Sequence, residues 1–181
     1  MNSSWSRRRV KGEFVWILKA PLKDRAAWVG SQEHRQTQNT ILGMVAKKTS
    51  ACLDTSVLLR LLVGEPENQA KQAIEVLDEI TRSGGKAHVS DLALCETYFA
   101  LQYHYEVPKK EAIAALQALS QSEEIECSEV AEAVLAQVNL HSVKPGLVDR
   151  IIHGQYEEIG YDMLTFEKAA KKLLNTRVIR G

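Results

Sequence analysis

Ser50-Ala-Cys-Leu-Asp54-Thr-Ser-Val-Leu-Leu-Arg60-Leu-Leu-Val-Gly64 decides how the chain is read. Its opening residues form a short apolar stretch with the length of a buried strand. Asp54 closes that stretch, Thr55 or Ser56 can cap the next element, and 57–63 make a helix that Gly64 and Pro66 end. A strand of this length running straight into a helix is half of a βαβ unit, and the pattern repeats downstream. Residues 67–82 place Ala70, Ala73, Ile74, Leu77 and Ile80 on one helical face, and Ser83-Gly84-Gly85 stops that helix. Residues 88–90 read as a second strand, with Ser90 or Asp91 capping a helix to about Tyr105. Pro108 opens another helix to about Ser120, 124–127 make a short strand, and a helix covers 129–140. Beyond a turn at Lys144-Pro145-Gly146, 147–159 are helical, 161–165 a strand, 166–174 a helix and 177–180 a last short strand. Short strands alternating with longer helices imply an α/β fold with right-handed crossovers and a mostly parallel sheet covered on both faces.

Composition sets the frame around this pattern. The chain has 181 residues, and 45% of them are hydrophobic, enough for one packed domain and an appendage. No apolar run approaches the ~18 residues of a membrane helix. The zero net charge conceals an asymmetry: residues 1–49 hold ten Lys/Arg against three Asp/Glu, whereas 50–181 hold thirteen against twenty. The net charges of +7 and −7, with all three tryptophans (Trp5, Trp16, Trp28) in the first segment, put a boundary near Ser50. Residues 50–181 are the folded domain, and 1–49 are a basic N-terminal extension.

Arg7-Arg8-Arg9 ahead of the apolar residues 14–18 resembles a signal peptide only superficially. The run is short, Lys19 closes it, and no small-residue cleavage site comes after it. The extension reads as a solvated, disordered basic tail, with contact to nucleic-acid phosphates as the alternative. Met44-Val-Ala-Lys-Lys-Thr-Ser-Ala also reads like a natural start, which would make the preceding residues upstream sequence. Cys52, Cys95 and Cys127 are far apart and lack a CxxC spacing, so they read as buried free thiols of a cytoplasmic protein.

In such a sheet, sites form beyond the carboxyl ends of the strands. Asp54 ends the first strand, Glu167 lies just past the strand at 161–165, and Asp149 sits in the first turn after Pro145-Gly146. On the helix after the second strand, Leu92, Cys95, Phe99 and Tyr103 define an expected buried stripe. Glu96 projects beside that stripe and needs a partner there. Each acid has a structural alternative. Asp54 can be a cap, Asp149 and Glu167 first-turn acids facing a helix dipole, and Glu96 the partner of Arg60 or Arg150. Convergence of all four favours chemistry. Neighbouring carboxylates repel, a divalent cation keeps them ionised, and oxygen-only ligands favour Mg²⁺ or Mn²⁺ over zinc. Phosphodiester hydrolysis by a metal-activated water suits that set. There is no GxSxG, GxxxxGK[ST] or HExxH, which argues against serine hydrolase, P-loop and zinc protease chemistry.

These residues resemble a known family. Residues 53–62, from Leu53-Asp54-Thr55 to Leu62, are similar to the opening motif of PIN domains, especially the VapC-type toxins, with Ser56 where Asn is frequent. Glu65-Pro-Glu-Asn-Gln69 fits the stretch after it, and Val89-Ser-Asp-Leu-Ala-Leu-Cys-Glu96-Thr matches the segment carrying the second acid. Leu147-Val-Asp149-Arg-Ile-Ile matches the third, and Leu164-Thr165-Phe166-Glu167-Lys168 the fourth. The resemblance covers about residues 50–180. It implies a three-layer α/β/α fold, a Mg²⁺- or Mn²⁺-dependent endoribonuclease, a homodimer, and restraint by a small antitoxin encoded nearby. Asp54 and Asp149 would then hold the metal most directly, Glu96 would complete the shell or orient the attacking water, and Glu167 would bind a second ion or a water on it. The fourth position is more often Asp, which leaves Asp162 as a possible substitute for Glu167.

A domain of net −7 does not attract RNA as a whole, so binding must rely on local cations and the metal. The candidates are Arg60, Lys109, Lys110, Arg150, Lys168, Lys171 and Lys172, with Tyr103, Tyr105 and Tyr156 for base stacking. Leu58, Leu59, Leu61, Leu62, Ile113, Leu116 and Leu119 exceed what one narrow helix face needs. The surplus either forms a groove for a partner helix or is buried on both sides. A catalytically silent PIN-like module that binds RNA or protein is the competing reading.

Overall fold

A computed structural model describes residues 50–180 and, for the backbone, the strands β1 (Trp5–Val10) and β2 (Glu13–Leu18), which pair antiparallel. Two strands therefore fall inside the basic N-terminal extension. Its Phe14-Val15-Trp16-Ile17 run consists of aromatic and β-branched residues, the types that favour a strand. The remainder of residues 1–49, including Trp28 and Met44, lies outside the described residues.

The domain begins with β3 (Ala51–Leu53) and α1 (Thr55–Val63). Neither Thr55 nor Ser56 is the cap. The strand stops at Leu53, so Asp54 takes the extended capping conformation and accepts the Val57 amide at 3.0 Å. Gly64, at φ 84°, closes α1 in the left-handed region. α2 (Glu67–Arg82) buries Ala70, Ile74, Leu77 and Ile80, the face expected from the spacing. β4 (Ala87–Val89) leads into α3 (Asp91–Tyr103), whose first turn is capped by the Ser90 hydroxyl. Then come α4 (Lys109–Ser120), β5 (Ile125–Glu126), α5 (Glu129–Leu135), α6 (Leu147–Glu158), β6 (Met163–Thr165) and β7 (Thr176–Val178).

Two helices are shorter than their composition suggests. α5 ends at Leu135, well before 140: Val138 is exposed with nothing to pack against, and Asn139 turns the chain at φ 58°. The stretch 166–174 is a single 3-10 turn, Lys168–Lys172, in which only Ala170 is buried, so no apolar face exists to extend it.

β3, β4 and β5 form a parallel sheet in that order, with Cys52 opposite His88 and His88 opposite Glu126. β6 and β7 form a second parallel pair, so the strands expected in one sheet are divided between two. The architecture is a three-layer α/β/α fold around a short parallel sheet. No helix among the described residues is long and apolar enough to cross a membrane.

Leu58, Leu61 and Leu62 of α1 and Ile113, Leu116 and Leu119 of α4 are fully or almost fully buried in the core, and Leu59 is partly buried. Burial of each such side chain contributes roughly 1.5–3 kcal/mol. The apolar surplus of these two helices is therefore consumed inside the fold rather than left as a groove. α5 and α6 approach closely at Gly154, where an added Cβ would lie 2.6 Å from Val130 Cγ1.

The face of α3 is the main correction. Its buried side chains are Ala93, Leu94, Thr97, Tyr98, Ala100 and Leu101. Leu92 is 80% exposed, Phe99 43% and Tyr103 74%, so the expected stripe looks outward. Both faces of this helix carry large apolar residues, and spacing alone does not choose between them.

Candidate active site

Asp54 stands at the carboxyl end of β3, exposed, with Oδ1 taking the Val57 amide at 3.0 Å and the Ser56 hydroxyl at 2.8 Å. The amide of Val57 above all, then the hydroxyl of Ser56, hold its pKa below the usual carboxylate value. The group is a fixed anion at neutral pH. Neither of these two bonds uses Oδ2, which leaves that oxygen for another partner.

Glu96 lies in the second turn of α3, after β4. It is exposed, not embedded beside a buried stripe, and neither Arg60 nor Arg150 is its partner. Arg60 is spent on Gln69 and the Tyr105 hydroxyl, and Arg150 on the Pro145 carbonyl. The partner of Glu96 is Thr55, whose Oγ1 donates to Oε2 at 2.5 Å. Because Thr55 is the residue after Asp54, this one bond ties the carboxyl end of β3 to the second acid. From sequence Thr55 reads only as a cap; its position beside Asp54 is the available signal for more.

Asp149 sits in the first turn of α6, exposed, and its Oδ2 accepts the Gly146 amide at 3.2 Å. Its charge reaches α3: burial pushes the pKa of Tyr98 up, and the negative charges of Tyr103 and Asp149 add to that. Tyr98 is buried whereas Glu96, two residues earlier, is exposed on the other side of α3, so this influence does not bring Asp149 to Glu96. Glu167 caps the 3-10 turn, accepting the Ala169 amide at 2.9 Å, while its own amide donates to the Thr165 hydroxyl at 3.0 Å. Asp162 precedes β6 and so lies at the amino end of that strand, opposite the end that carries Glu167.

A fifth acid, Asp91, does more than the capping expected of it. It accepts the Ser128 hydroxyl at 2.6 Å and the Gln155 amide at 2.8 Å, joining the start of α3, the residue before α5 and the middle of α6. It fixes the helix that carries Asp149 against the helix that carries Glu96.

Asp54 and Glu96 are thus linked through Thr55, whereas Asp149 and Glu167 are each engaged in their own turns, at Gly146 and Ala169. Among the described residues, no three His, Cys, Asp or Glu side chains form a group able to hold a metal ion between them. Mg²⁺ commonly binds through one or two carboxylates, retaining waters and taking substrate phosphate oxygens. Exposed, all-oxygen donors fit that mode; they do not fit zinc or an all-protein cage.

Hollows among the described residues lie elsewhere. One of about 300 Å³ is lined by Cys52, His88, Ser90, Glu126 and Cys127, and one of about 550 Å³ by Val130, Val134, Arg150, His153, Gly154 and Lys172. None of the four acids lines either, and size without convergent reactive groups does not make a site. All three cysteines are free, but Cys52 is exposed rather than buried. Burial first, then nearby acids including Asp91, raises Cys95 and Cys127 to about 11. A rise from 9 to 11 cuts the reactive thiolate at pH 8 by about 100-fold. Iodoacetamide on the native protein is expected to give one adduct, at Cys52, by peptide mass mapping. Equal labelling of the three would contradict this burial pattern.

Comparison with known proteins agrees with the fold. No curated protein matches the chain. The family model described as the PIN domain matches residues 51–173, more than half of the sequence and the whole span from β3 to the end of the 3-10 turn. That span contains Asp54, Glu96, Asp149 and Glu167 in order, with Asp54 and Glu167 just past the carboxyl ends of short parallel strands, and the chain belongs to the PIN domain family.

Proposed function

We propose that the protein is a Mg²⁺- or Mn²⁺-dependent endoribonuclease, the toxin of a cytoplasmic toxin–antitoxin pair. The observation that carries this reading is the bond from Thr55 to Glu96, which couples the acid ending β3 to the acid of α3 inside a PIN domain. Asp54 and Asp149 are the ligands that would hold the ion, with Glu96 and Glu167 beside them. A bound divalent ion supplies a lower pKa for the attacking water and neutralises charge on the phosphate. The chain's own contributions are positional. Ser56 and the Val57 amide keep Asp54 ionised and fixed in one rotamer. Thr55 occupies one oxygen of Glu96, leaving the other to take a proton from water. Asp91 holds α6, and with it Asp149, against α3.

A small antitoxin and a second copy of the chain are the proposed partners. The exposed Leu92, Phe99 and Tyr103 on α3 give such partners an apolar surface beside Glu96.

The capping bond of Glu167 favours a second reading, a catalytically silent module that binds RNA or protein. Cleavage of a long single-stranded RNA, assayed with Mg²⁺, with Mn²⁺ and with EDTA, separates the two. The ribonuclease reading expects internal cuts with either cation, none with EDTA, and a gain in melting temperature on adding cation. Neither cutting nor a thermal gain with either cation would leave the silent module.

A further inference from the structure

None of the four candidate acids lies in the ribbon β1–β2. Its register runs from Trp5 opposite Leu18 to Val10 opposite Glu13. Directly opposed residues of an antiparallel pair share a face, as do residues two apart along a strand. Positions 5, 7, 9, 14, 16 and 18 therefore make one face: Trp5, Arg7, Arg9, Phe14, Trp16 and Leu18. Positions 6, 8, 10, 13, 15 and 17 make the other: Ser6, Arg8, Val10, Glu13, Val15 and Ile17.

The alternation sorts the chemistry. All three aromatic residues of the ribbon fall on the first face with two arginines and no acid, and Arg7 is registered opposite Trp16, Arg9 opposite Phe14. The β-branched aliphatics and Glu13, the ribbon's acid, fall on the second. A ribbon that served only to cover a core would need one apolar and one polar face. It would not need cations interleaved with rings.

Cations interleaved with rings are what single-stranded nucleic acid requires, since the phosphates take the positive charges and each base offers a flat face to stack. The charge distribution points the same way. Residues 50–181 carry a net −7 and repel a polyanion, while 1–49 carry +7. We infer that the Trp5–Arg7–Arg9–Phe14–Trp16 face of the N-terminal ribbon is a binding platform for single-stranded RNA, supplying the affinity that the acidic domain lacks. The choice of RNA among polyanions rests on the ribonuclease reading.

The test is binding of labelled oligo(U) to the full chain in EDTA, where no cutting can occur, across a range of salt. Each phosphate contact to a single strand adds about 0.7 to the slope of log affinity against log salt. Arg7→Gln with Arg9→Gln is expected to lower affinity at least about ten-fold and the slope by about 1.4. Trp16→Leu keeps an apolar strand residue but removes the ring. It is expected to weaken binding roughly ten-fold at unchanged slope, with Trp16→Tyr restoring it to within a few-fold. Unchanged affinity and slope in the arginine variant would overturn the platform. So would Trp16→Leu binding as well as Trp16→Tyr, or stronger retention on anionic lipid vesicles than on oligo(U). Cleavage with Mg²⁺ or Mn²⁺ is scored separately. A chain that binds through the ribbon but never cuts refutes the enzyme reading and leaves the platform standing.

Discussion

Asp54→Asn is expected to lower Mg²⁺-dependent RNA cleavage by on the order of 100-fold or more, while the melting temperature stays close to that of the native chain. The two readouts divide because the proposed function gives Asp54 a second job besides its capping bond. As the cap of α1 it accepts the Val57 amide, and asparagine serves that position about as well as aspartate. On the proposed reading its charge is irreplaceable, since an amide oxygen carries no net charge to hold a divalent ion. Asp54→Ala is the control. It removes the cap as well, costing about 1 kcal/mol and roughly 2–4 °C in melting temperature. Kinetic and thermal measurements on both variants check the assignment. An Asp54→Asn chain that cuts at the native rate would reduce Asp54 to a cap.

Leu94→Ala is expected to destabilise the domain by about 2–5 kcal/mol, and Leu92→Ala by less than about 0.5 kcal/mol, in denaturant unfolding. Leu94 is fully buried between α3 and the core, whereas Leu92, two residues earlier, is 80% exposed. Equal effects from the two would mean that α3 is rotated about its axis from this orientation.

That pair marks where the sequence is ambiguous. α2 is legible to the residue because its polar face is plainly charged: Glu67, Lys71, Glu75 and Asp78 leave one apolar stripe. α3 offers Leu92, Phe99 and Tyr103 on one side and Leu94, Tyr98 and Leu101 on the other, so the period is clear and the phase is not. Only packing against α1 and α4 selects the inner face, and that is information held by other elements. The same holds for α1 and α4, whose leucines look excessive singly and are fully used together. Helix ends that depend on what lies beneath them, as after Leu135 and over 166–174, are also out of reach.

For the site, the acids at the ends of elements are legible because strand–helix junctions are. The environment of Glu96 is not, since it depends on the phase of α3. Nor is the Thr55 bond legible: 41 residues separate its partners, and only the parallel pairing of β3 with β4 brings α1 and α3 together. Asp91 likewise stitches three elements that are distant in sequence.

Mn²⁺ titration of the isotopically labelled protein, followed by paramagnetic broadening of its amide resonances, is the most direct test of a divalent ion held by acids from different elements. The account predicts that broadening begins together at Asp54, Thr55, Glu96 and Asp149, at Mn²⁺ well below the protein concentration. Broadening confined to acids remote from β3 and α3, such as Glu75 and Asp78 on α2, or spread evenly over all exposed carboxylates, would contradict it.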